Sequence, residues 1–173
     1  MKVDFIENFY QEKIEFAEKK LVELLKEKNL IVSTAESCTG GNIASKITSV
    51  SGASSVFYEG IVAYNENSKV ERLGVLKNTL EEFKPVSYQV AKEMALGLTN
   101  SGKVDLGIST TGIAGPTSDD SGFPVGLCFV GISYKQSVAV YKFNFDGTRE
   151  EIVKKGVENA LLLAINTIKT YKG

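Results

Sequence analysis

The chain has 173 residues, of which 43% are hydrophobic and 24% are charged, and its formal net charge is -1. This is an ordinary globular composition, so we expect residues 1–173 to form a single domain and exclude a disordered chain. The balance of 20 basic against 21 acidic side chains favours neither nucleic acid nor an anionic membrane as a partner.

The hydrophobic pattern first predicts a helix over residues 1–29. Its apolar positions recur at a spacing of three to four residues, at Ile14, Ala17, Leu21, Leu24 and Leu25. The pattern then predicts, in order, a strand over Leu30–Ala35, a Gly-rich turn, a helix over Asn42–Val50, a strand over Ser55–Tyr64, and helices over Asn65–Leu73 and Thr79–Phe83.

The second half of the chain continues this alternation. It predicts a helix capped by Ser87 and running through Leu98, a strand over Val104–Thr111, a polar loop over 117–124, strands over Gly126–Tyr134 and Ser137–Phe145 joined at Lys135–Gln136, and a helix over Arg149–Thr170. We therefore predict an α/β fold. It is a three-layer sandwich with a mixed, mostly parallel sheet, helices on both faces, and a C-terminal hairpin plus helix.

The chain contains no histidine and two cysteines, Cys38 and Cys128. The lack of histidine excludes Ser-His-Asp and Cys-His catalysis and the common zinc hydrolase sites. Two cysteines are too few for a disulfide framework or a four-ligand zinc site. If the protein is a hydrolase, its general base must be Lys, Asp, Glu or Tyr.

The longest apolar runs, such as Val125–Ile132, are too short to span a bilayer. The first residues, MKVDFIENFYQEK, carry acidic side chains where a signal peptide needs an apolar stretch. We therefore expect a cytoplasmic protein without a membrane partner.

The turn at Thr34–Gly41 (TAESCTGG) is the strongest local indication of chemistry. Ser37 ends a predicted buried strand just before a helix, where an α/β sheet presents side chains to a crevice. The N–H groups at the helix start can hold an anion or an oxyanion. Alternatively, Ser37 and Thr39 are helix caps. Cys38 is a rival nucleophile, although a small packing residue is the better interpretation.

Lys69 is the second candidate. A lysine on a short helix is usually a solvated surface charge, but a serine hydrolase without histidine needs an unprotonated amine. Burial or a neighbouring cation can lower a lysine pKa from about 10.4 to about 7–8, which makes it a competent base. Arg149 or Lys46 could supply such a cation.

Two further segments could contact a ligand. Ser109–Pro116 (STTGIAGP) places hydroxyls and glycines after an apolar strand, although a tight turn with local hydrogen bonds is the alternative. It is neither a Walker loop nor a GxGxxG motif. In Phe145–Arg149, a turn places Arg149 in the first turn of the last helix. A cation is unfavourable there for the helix dipole, so the position favours a ligand contact, and arginine suits phosphate.

Taken in order, these segments resemble a known family. The matching segments are TAESCTGG (34–41), GASSVFYEGIVAYNENSK (52–69), LGV (73–75), STTGIAGP (109–116), PVG (124–126) and Gly-x-Arg (147–149). They are similar to the CinA C-terminal domain family, the nicotinamide mononucleotide deamidases also called PncC. The resemblance covers about residues 12–170 and implies conversion of nicotinamide mononucleotide to nicotinate mononucleotide and ammonia, in pyridine-nucleotide salvage.

The resemblance also implies roles for individual residues. Ser37 would be the nucleophile and Lys69 the base, with Tyr64 as a further catalytic group. The expected substrate contacts are Glu36, Thr39, Gly40, Gly41, Thr110, Thr111, Gly112 and Arg149. We expect the N–H groups near Thr39–Gly41 to hold the oxyanion. We further expect no metal or organic cofactor, a small-molecule substrate, and a homodimer or larger homo-oligomer.

Three positions depart from the family pattern. Phe123 stands where a lysine often precedes Pro-Val-Gly, Thr148 where an aspartate is common, and Val153 where a second arginine occurs. They leave two alternatives to the deamidase: a binding module for pyridine nucleotides that does not turn them over, and an amidase for another small amide.

Overall fold

The computed structural model of the chain describes residues 2–7, for which only the backbone is described, 15–118, 122–135 and 137–171. The strands are β1 (Lys2–Glu7), β2 (Val32–Glu36), β3 (Phe57–Val62), β4 (Leu106–Gly112), β5 (Leu127–Tyr134) and β6 (Ser137–Asn144). The helices are α1 (Ala17–Lys28), α2 (Asn42–Thr48), α3 (Glu66–Leu73), α4 (Lys77–Phe83), α5 (Tyr88–Thr99) and α6 (Arg149–Thr170). A short 3-10 helix, Ala53–Ser55, precedes β3.

All six described strands form one sheet in the order β1-β6-β5-β4-β2-β3. β2 pairs in parallel with both β3 and β4, and β1 pairs in parallel with β6. The β5–β6 hairpin is antiparallel, and β5 also runs antiparallel to β4. The predicted mixed, mostly parallel sheet with a C-terminal hairpin is confirmed.

Helices cover both faces of this sheet. On one face, α1, α2 and α6 pack their apolar side chains against β2, β4 and β5, in a core that includes Leu21, Ile43, Ile108 and Leu161. On the other face, α3, α4 and α5 form a second core around Leu73, Leu80, Val90 and Met94, together with Ala35 of β2. Because each helix buries one apolar stripe against the sheet, the arrangement is the predicted three-layer sandwich.

The predicted helix over residues 1–29 is wrong in its first part. Residues 2–7 form β1 along the free edge of β6, and the helix begins only at Ala17. The apolar residues Val3 and Phe5 alternate with polar ones, which is the period of a strand, whereas the helical stripe lies wholly in the later residues. Its first member, Ile14, lies outside the described residues.

The other predicted elements are confirmed with shifted ends. Ser87 caps α5 by accepting a hydrogen bond from the N–H of Val90, as expected from its position. The bounds of α6 agree with the prediction because Thr148 and Glu151 form a capping box at its start. Gln136 of the hairpin and residues 119–121 of the polar loop lie outside the described residues. None of the helices in the described part of the chain has the length and apolar content needed to cross a bilayer.

The connections around β2 create a crevice at one edge of the sheet. The chain leaves β2 through α2 on one face and returns as β3 on one side of it. It then passes through α3, α4 and α5 on the opposite face and returns as β4 on the other side of β2. The carboxyl ends of three parallel strands, at Glu36, Val62 and Gly112, therefore face a topological switch point, where α/β proteins bind ligands.

Two helical glycines should respond oppositely to alanine. A Cβ at Gly97 would collide with the carbonyl group of Leu73, whose carbon would lie 2.9 Å away, whereas a Cβ at Gly156 would lie 3.5 Å from Thr39 and 3.7 Å from Cys128. We expect Gly97→Ala to lower the free energy of unfolding by about 2 kcal/mol, or roughly 4–8 °C in Tm. Gly156→Ala should raise it by up to about 1 kcal/mol, because alanine has the higher helix propensity. Thermal and urea unfolding of both variants checks this, and equal effects would contradict the packing at Gly97.

Candidate active site

Ser37 and Lys69 meet at the carboxyl ends of β2 and β3. Lys69 Nζ lies 3.1 Å from Ser37 Oγ, within hydrogen-bond distance. The two residues are only 2% (Lys69) and 9% (Ser37) exposed. The structure therefore brings together the predicted nucleophile and the predicted base, which are 32 residues apart in the chain.

Backbone carbonyl groups orient the Lys69 amine. Nζ lies 2.8 Å from the carbonyl oxygen of Ala63 and 3.5 Å from that of Tyr64. A neutral amine has two N–H donors and one lone pair. With its N–H groups directed to these two carbonyls, its lone pair is left to accept the Ser37 proton. This arrangement suits a general base.

Burial lowers the pKa of Lys69, because the ammonium form loses its hydration. The negative charges of Glu66 and Cys38 oppose this and raise the pKa in part. The alternative cause, a neighbouring cation such as Arg149 or Lys46, is absent among the described groups that shift this pKa. Lys46, which is 57% exposed, lies 4.0 Å from Glu18 instead.

The short helix α3 explains why a lysine is buried here. The side chain of Asn65 accepts a hydrogen bond of 2.9 Å from the N–H of Asn67 and so caps the helix, and Gly74 ends it. Lys69 and Leu73, four residues apart, are the buried positions of α3. Lys69 thus occupies a core-facing position of the helix, which carries its amine inward to the end of β2.

Glu36 fixes the turn that carries Ser37. Its carboxylate is almost completely buried and accepts hydrogen bonds from Thr39 Oγ1 (2.7 Å) and from the N–H groups of Gly41 (3.1 Å), Ile43 (3.0 Å) and Ala44 (2.8 Å). These donors belong to the start of α2, where a carboxylate is also favoured by the helix dipole. The anion site expected at this helix start is therefore filled by the protein's own Glu36.

The rest of the turn is tied to β4. Thr39 Oγ1 and Thr110 Oγ1 are 2.7 Å apart, and the Ser37 N–H donates to the carbonyl of Thr110 at 3.0 Å. The Gly40 N–H donates to the carbonyl of Ser37, also at 3.0 Å. Because the N–H groups of Gly40 and Gly41 are occupied, the oxyanion role expected of them lacks geometric support. Among the described backbone contacts, neither the Cys38 N–H nor the Thr39 N–H bonds to another residue.

An open cavity of about 360 Å³ lies in front of Ser37. It is lined by Ser37, Cys38, Tyr64, Glu66, Lys69, Pro85, Val86, Thr111, Gly112, Ile113, Ala114, Gly115, Thr117, Ser118 and Arg149. The cavity thus gathers six of the predicted site residues: Ser37, Tyr64, Lys69, Thr111, Gly112 and Arg149. The other five predicted ones lie outside its lining: Glu36, Thr39, Gly40, Gly41 and Thr110.

Arg149 and Tyr64 form the outer rim of this cavity. Arg149 donates from Nη1 to the carbonyl oxygen of Gly115 (2.6 Å) and from Nη2 to the Tyr64 hydroxyl (3.0 Å). A guanidinium has five N–H donors, so further donors remain for an anionic ligand. Deeper in the cavity, the Thr111 hydroxyl donates to the carbonyl of Pro85 at 2.7 Å.

Several cavity residues were missed by the sequence reasoning. Glu66 could have been found, because it lies three residues before Lys69 and therefore on the same side of α3. Thr117 and Ser118 belong to the loop over 117–124, for which the sequence predicts polarity but no ligand contact. The carbonyl of Ala63 had no sequence signature, since every residue carries one. Among the described residues, no cluster of three or more His, Cys, Asp or Glu side chains could hold a metal.

The sequence profile of the CinA C-terminal domain matches residues 14–168. A "Putative competence-damage inducible protein" of Caldicellulosiruptor saccharolyticus is 46% identical over 154 residues, which are 89% of this chain and 38% of that protein. A "CinA-like protein" of Kosmotoga olearia is 48% identical over 147 residues, 85% of this chain and 36% of the relative. The chain thus spans less than two fifths of the length of these curated relatives.

Solved structures share the fold over nearly their whole length. A CinA superfamily protein from Klebsiella pneumoniae superposes with a TM-score of 0.87 at 25% identity, covering 93% of this chain and 100% of the other. The competence/damage inducible protein CihA from Agrobacterium tumefaciens gives a TM-score of 0.83 at 35% identity, covering 92% and 99%. The α/β sandwich described above is therefore the fold of these proteins.

The negative charge of Glu66 should affect the pH range in which the Lys69 amine is neutral. Since this carboxylate raises the pKa of Lys69, Glu66→Gln should lower that pKa further and leave more of the amine neutral at a given pH. The rate at which a sulfonyl fluoride labels Ser37 should then begin to rise at a lower pH than in the wild type. Mass spectrometry of the labelled chain over a pH series measures this. Glu71→Gln, on the same helix but outside the cavity lining, is the matched control. If labelling of Glu66→Gln began to rise at a higher pH than in the wild type, Glu66 would not be the group that raises the pKa of Lys69.

Proposed function

Since this chain belongs to the family of the CinA C-terminal domain, we propose that it is an amidohydrolase that deamidates nicotinamide mononucleotide to nicotinate mononucleotide and ammonia. The observation that carries the proposal is the 3.1 Å contact between the buried Lys69 Nζ and Ser37 Oγ. A hydroxyl beside an amine of lowered pKa is an activated nucleophile that needs no histidine and no metal.

In the first step, neutral Lys69 takes the proton of Ser37, and Oγ attacks the carboxamide carbon of the nicotinamide ring. A C–O bond forms, and the carbonyl electrons move to the oxygen. The N–H of Cys38, the residue after the nucleophile, is the donor that we assign to this oxyanion. One such donor stabilises the transition state by about 3–4 kcal/mol.

In the second step, the C–N bond breaks and ammonia leaves with a proton from Lys69. We assign this proton to Lys69 because its Nζ lies at the reacting oxygen, whereas the Tyr64 hydroxyl lies at the rim beside Arg149. Tyr64 is then a substrate contact at the cavity mouth, although its hydroxyl can still donate a proton. Water next attacks the acyl-enzyme with Lys69 as base, and nicotinate mononucleotide is released.

The remainder of the cavity suits the nucleotide part of the substrate. Its volume of about 360 Å³ falls within the range of small-molecule sites. Arg149 at the rim would bind the phosphate, because a guanidinium offers a bidentate fork to phosphate oxygens. Thr117 and Ser118 supply hydroxyls nearby. The proposal includes a cytoplasmic location, a small-molecule partner only, and a homo-oligomeric assembly.

The departures from the family pattern lie away from the reacting groups. Phe123 packs in an apolar cluster with Leu127 and Phe129, Thr148 caps α6, and Val153 packs against the core. None of the three lines the described cavity. This supports nicotinamide mononucleotide, rather than another small amide, as the substrate. The alternative of a binding module without turnover would leave unexplained why a lysine amine is buried against a serine hydroxyl.

Removing either member of the pair should abolish turnover. We expect Ser37→Ala and Lys69→Met each to lower ammonia release from nicotinamide mononucleotide by at least about 1,000-fold, because both groups act in the same step. A coupled ammonia assay and product chromatography measure this, and circular dichroism checks the fold. Lys46→Met, at an exposed lysine, is the matched control. Near-wild-type activity in either dyad variant would exclude the mechanism, and loss only in Cys38→Ala would move the nucleophile by one residue.

Arg149 should control the preference for a phosphorylated substrate. Arg149→Ala should raise KM for nicotinamide mononucleotide by about 10- to 100-fold, because the substrate phosphate would lose its hydrogen bonds to a charged guanidinium. KM for nicotinamide riboside, which lacks the phosphate, should change much less. Arg72→Ala, at an exposed arginine of α3, serves as the control. An equal rise in KM for the two substrates would show that Arg149 does not bind the phosphate.

A further inference from the structure

We propose that Cys38 and Cys128 are a peroxide-sensitive thiol pair that closes to an intramolecular disulfide directly behind the nucleophile. This would be a covalent modification site separate from the deamidation chemistry. Cys38 follows Ser37 in the chain, whereas Cys128 lies 90 positions later, in β5. Both cysteines are free thiols in the structure.

Gly112 lies next to both cysteines. Gly112 of β4 pairs with Cys128 and lies between β5 and the turn that carries Cys38. A Cβ placed on Gly112 would lie 3.2 Å from Cys38 Sγ and 3.0 Å from the Cα of Cys128. Cys38 Sγ and the backbone of Cys128 therefore both border the space that a side chain would fill at position 112. Both cysteines also line the same small void.

Cys38 is accessible from the cavity, and there is free space next to Cys128. Cys38 is half-buried and lines the open cavity in front of Ser37, so small solutes can reach this residue from solvent. On its other side, Cys38 borders an internal void of about 10 Å³ that is also lined by Cys128 and Gly156. Since Gly156 has no side chain, Cys128 Sγ lies 3.7 Å from where its Cβ would be. The missing side chain at position 156 therefore leaves space beside the Cys128 sulfur.

The two thiols differ in acidity, which gives each its own role. The pKa of Cys38 is lowered, chiefly by its interaction with the Cys128 side chain. The pKa of Cys128 is raised by the same interaction and by burial. A thiolate is the form that reacts with peroxides. Cys38 is therefore the thiol that peroxide attacks, and buried Cys128 is the resolving thiol.

The reaction is a two-electron oxidation with a hydroperoxide as the oxidant. The Cys38 thiolate attacks one peroxide oxygen, an S–O bond forms, the O–O bond breaks, and hydroxide leaves. The Cys128 thiol then gives its proton to the hydroxide, and its sulfur attacks the sulfur of the Cys38 sulfenic acid. The S–S bond forms, the S–O bond breaks, and hydroxide is released, which takes up a proton from solvent as water. In sum, two thiols and one hydrogen peroxide give one disulfide and two waters.

The disulfide would act on Ser37 through the chain. Drawing Cys38 toward β5 moves the adjacent Ser37 Oγ away from Lys69 Nζ, which it meets at 3.1 Å. The hydrogen bonds of Glu36 hold the rest of the turn to α2, so the displacement falls on the residues around the nucleophile. A displacement of about 1 Å at a reacting atom can cost about 100-fold in rate.

The test treats the purified full chain with hydrogen peroxide and identifies the products by peptide mass spectrometry. We expect a peptide pair joined through Cys38 and Cys128, with the mass of two hydrogen atoms lost, and dithiothreitol should reverse the bond. Ser37→Ala keeps both thiols and should form the same link, so this readout is independent of the proposed deamidase activity. In the active wild type, turnover should fall by up to about 100-fold on oxidation and recover with dithiothreitol.

Cys128→Ala removes the resolving thiol and is the matched variant. Its Cys38 should proceed to the sulfinic acid, which dithiothreitol does not reduce, so its loss of activity should be irreversible. The proposal is overturned if both wild-type thiols remain free after exposure to peroxide, or if the only link formed joins two chains. It is also overturned if wild type and Cys128→Ala give the same Cys38 oxidation product.

Discussion

The buried amine of Lys69 is the interaction on which the site depends. An ammonium group removed from water must be compensated, and here the partners are a hydroxyl and backbone carbonyl oxygens rather than a carboxylate. This environment favours the neutral amine, as the lowered pKa shows. A carboxylate in direct contact would have kept the amine protonated and unable to act as a base. In the proposed mechanism, this environment lets lysine serve as the base in a chain that has no histidine.

Glu36 provides the complementary constraint on Ser37, the proposed nucleophile. Its carboxylate gathers the donors at the start of α2, and the threonine contact at the end of β4 ties the same turn to a second strand. The turn is thus held from two sides, so that Ser37 projects into the cavity at the switch point of the sheet. Glu36, which the sequence predicts as a substrate contact, supports the turn that carries Ser37. In our proposal, the same support is what makes Ser37 sensitive to oxidation at Cys38.

Much of the fold followed from periodicity and caps. The α6 bounds follow from a capping box whose residues are neighbours in sequence, and α3 follows from Asn65 and Gly74 in the same way. The prediction was wrong at residues 2–7, which form a strand. Their short alternating pattern precedes a strong helical pattern, and the predicted helix was extended over both. Such a segment becomes a strand only because the edge of β6 is available, and that edge is built from residues more than 130 positions later.

The sequence by itself determined the order of elements from α1 onward and the restriction of a hydrolase base to Lys, Asp, Glu or Tyr. Together with the family resemblance, it also predicted the pairing of Ser37 with Lys69. These depend on residue types, motifs and local spacing. Only the tertiary structure decided which motif residues face the cavity, that Glu36 is turned inward, and that Cys38 and Cys128 line the same void. The physical reason is that burial, pKa and contact depend on groups distant in the chain, which the packing of strands and helices brings together.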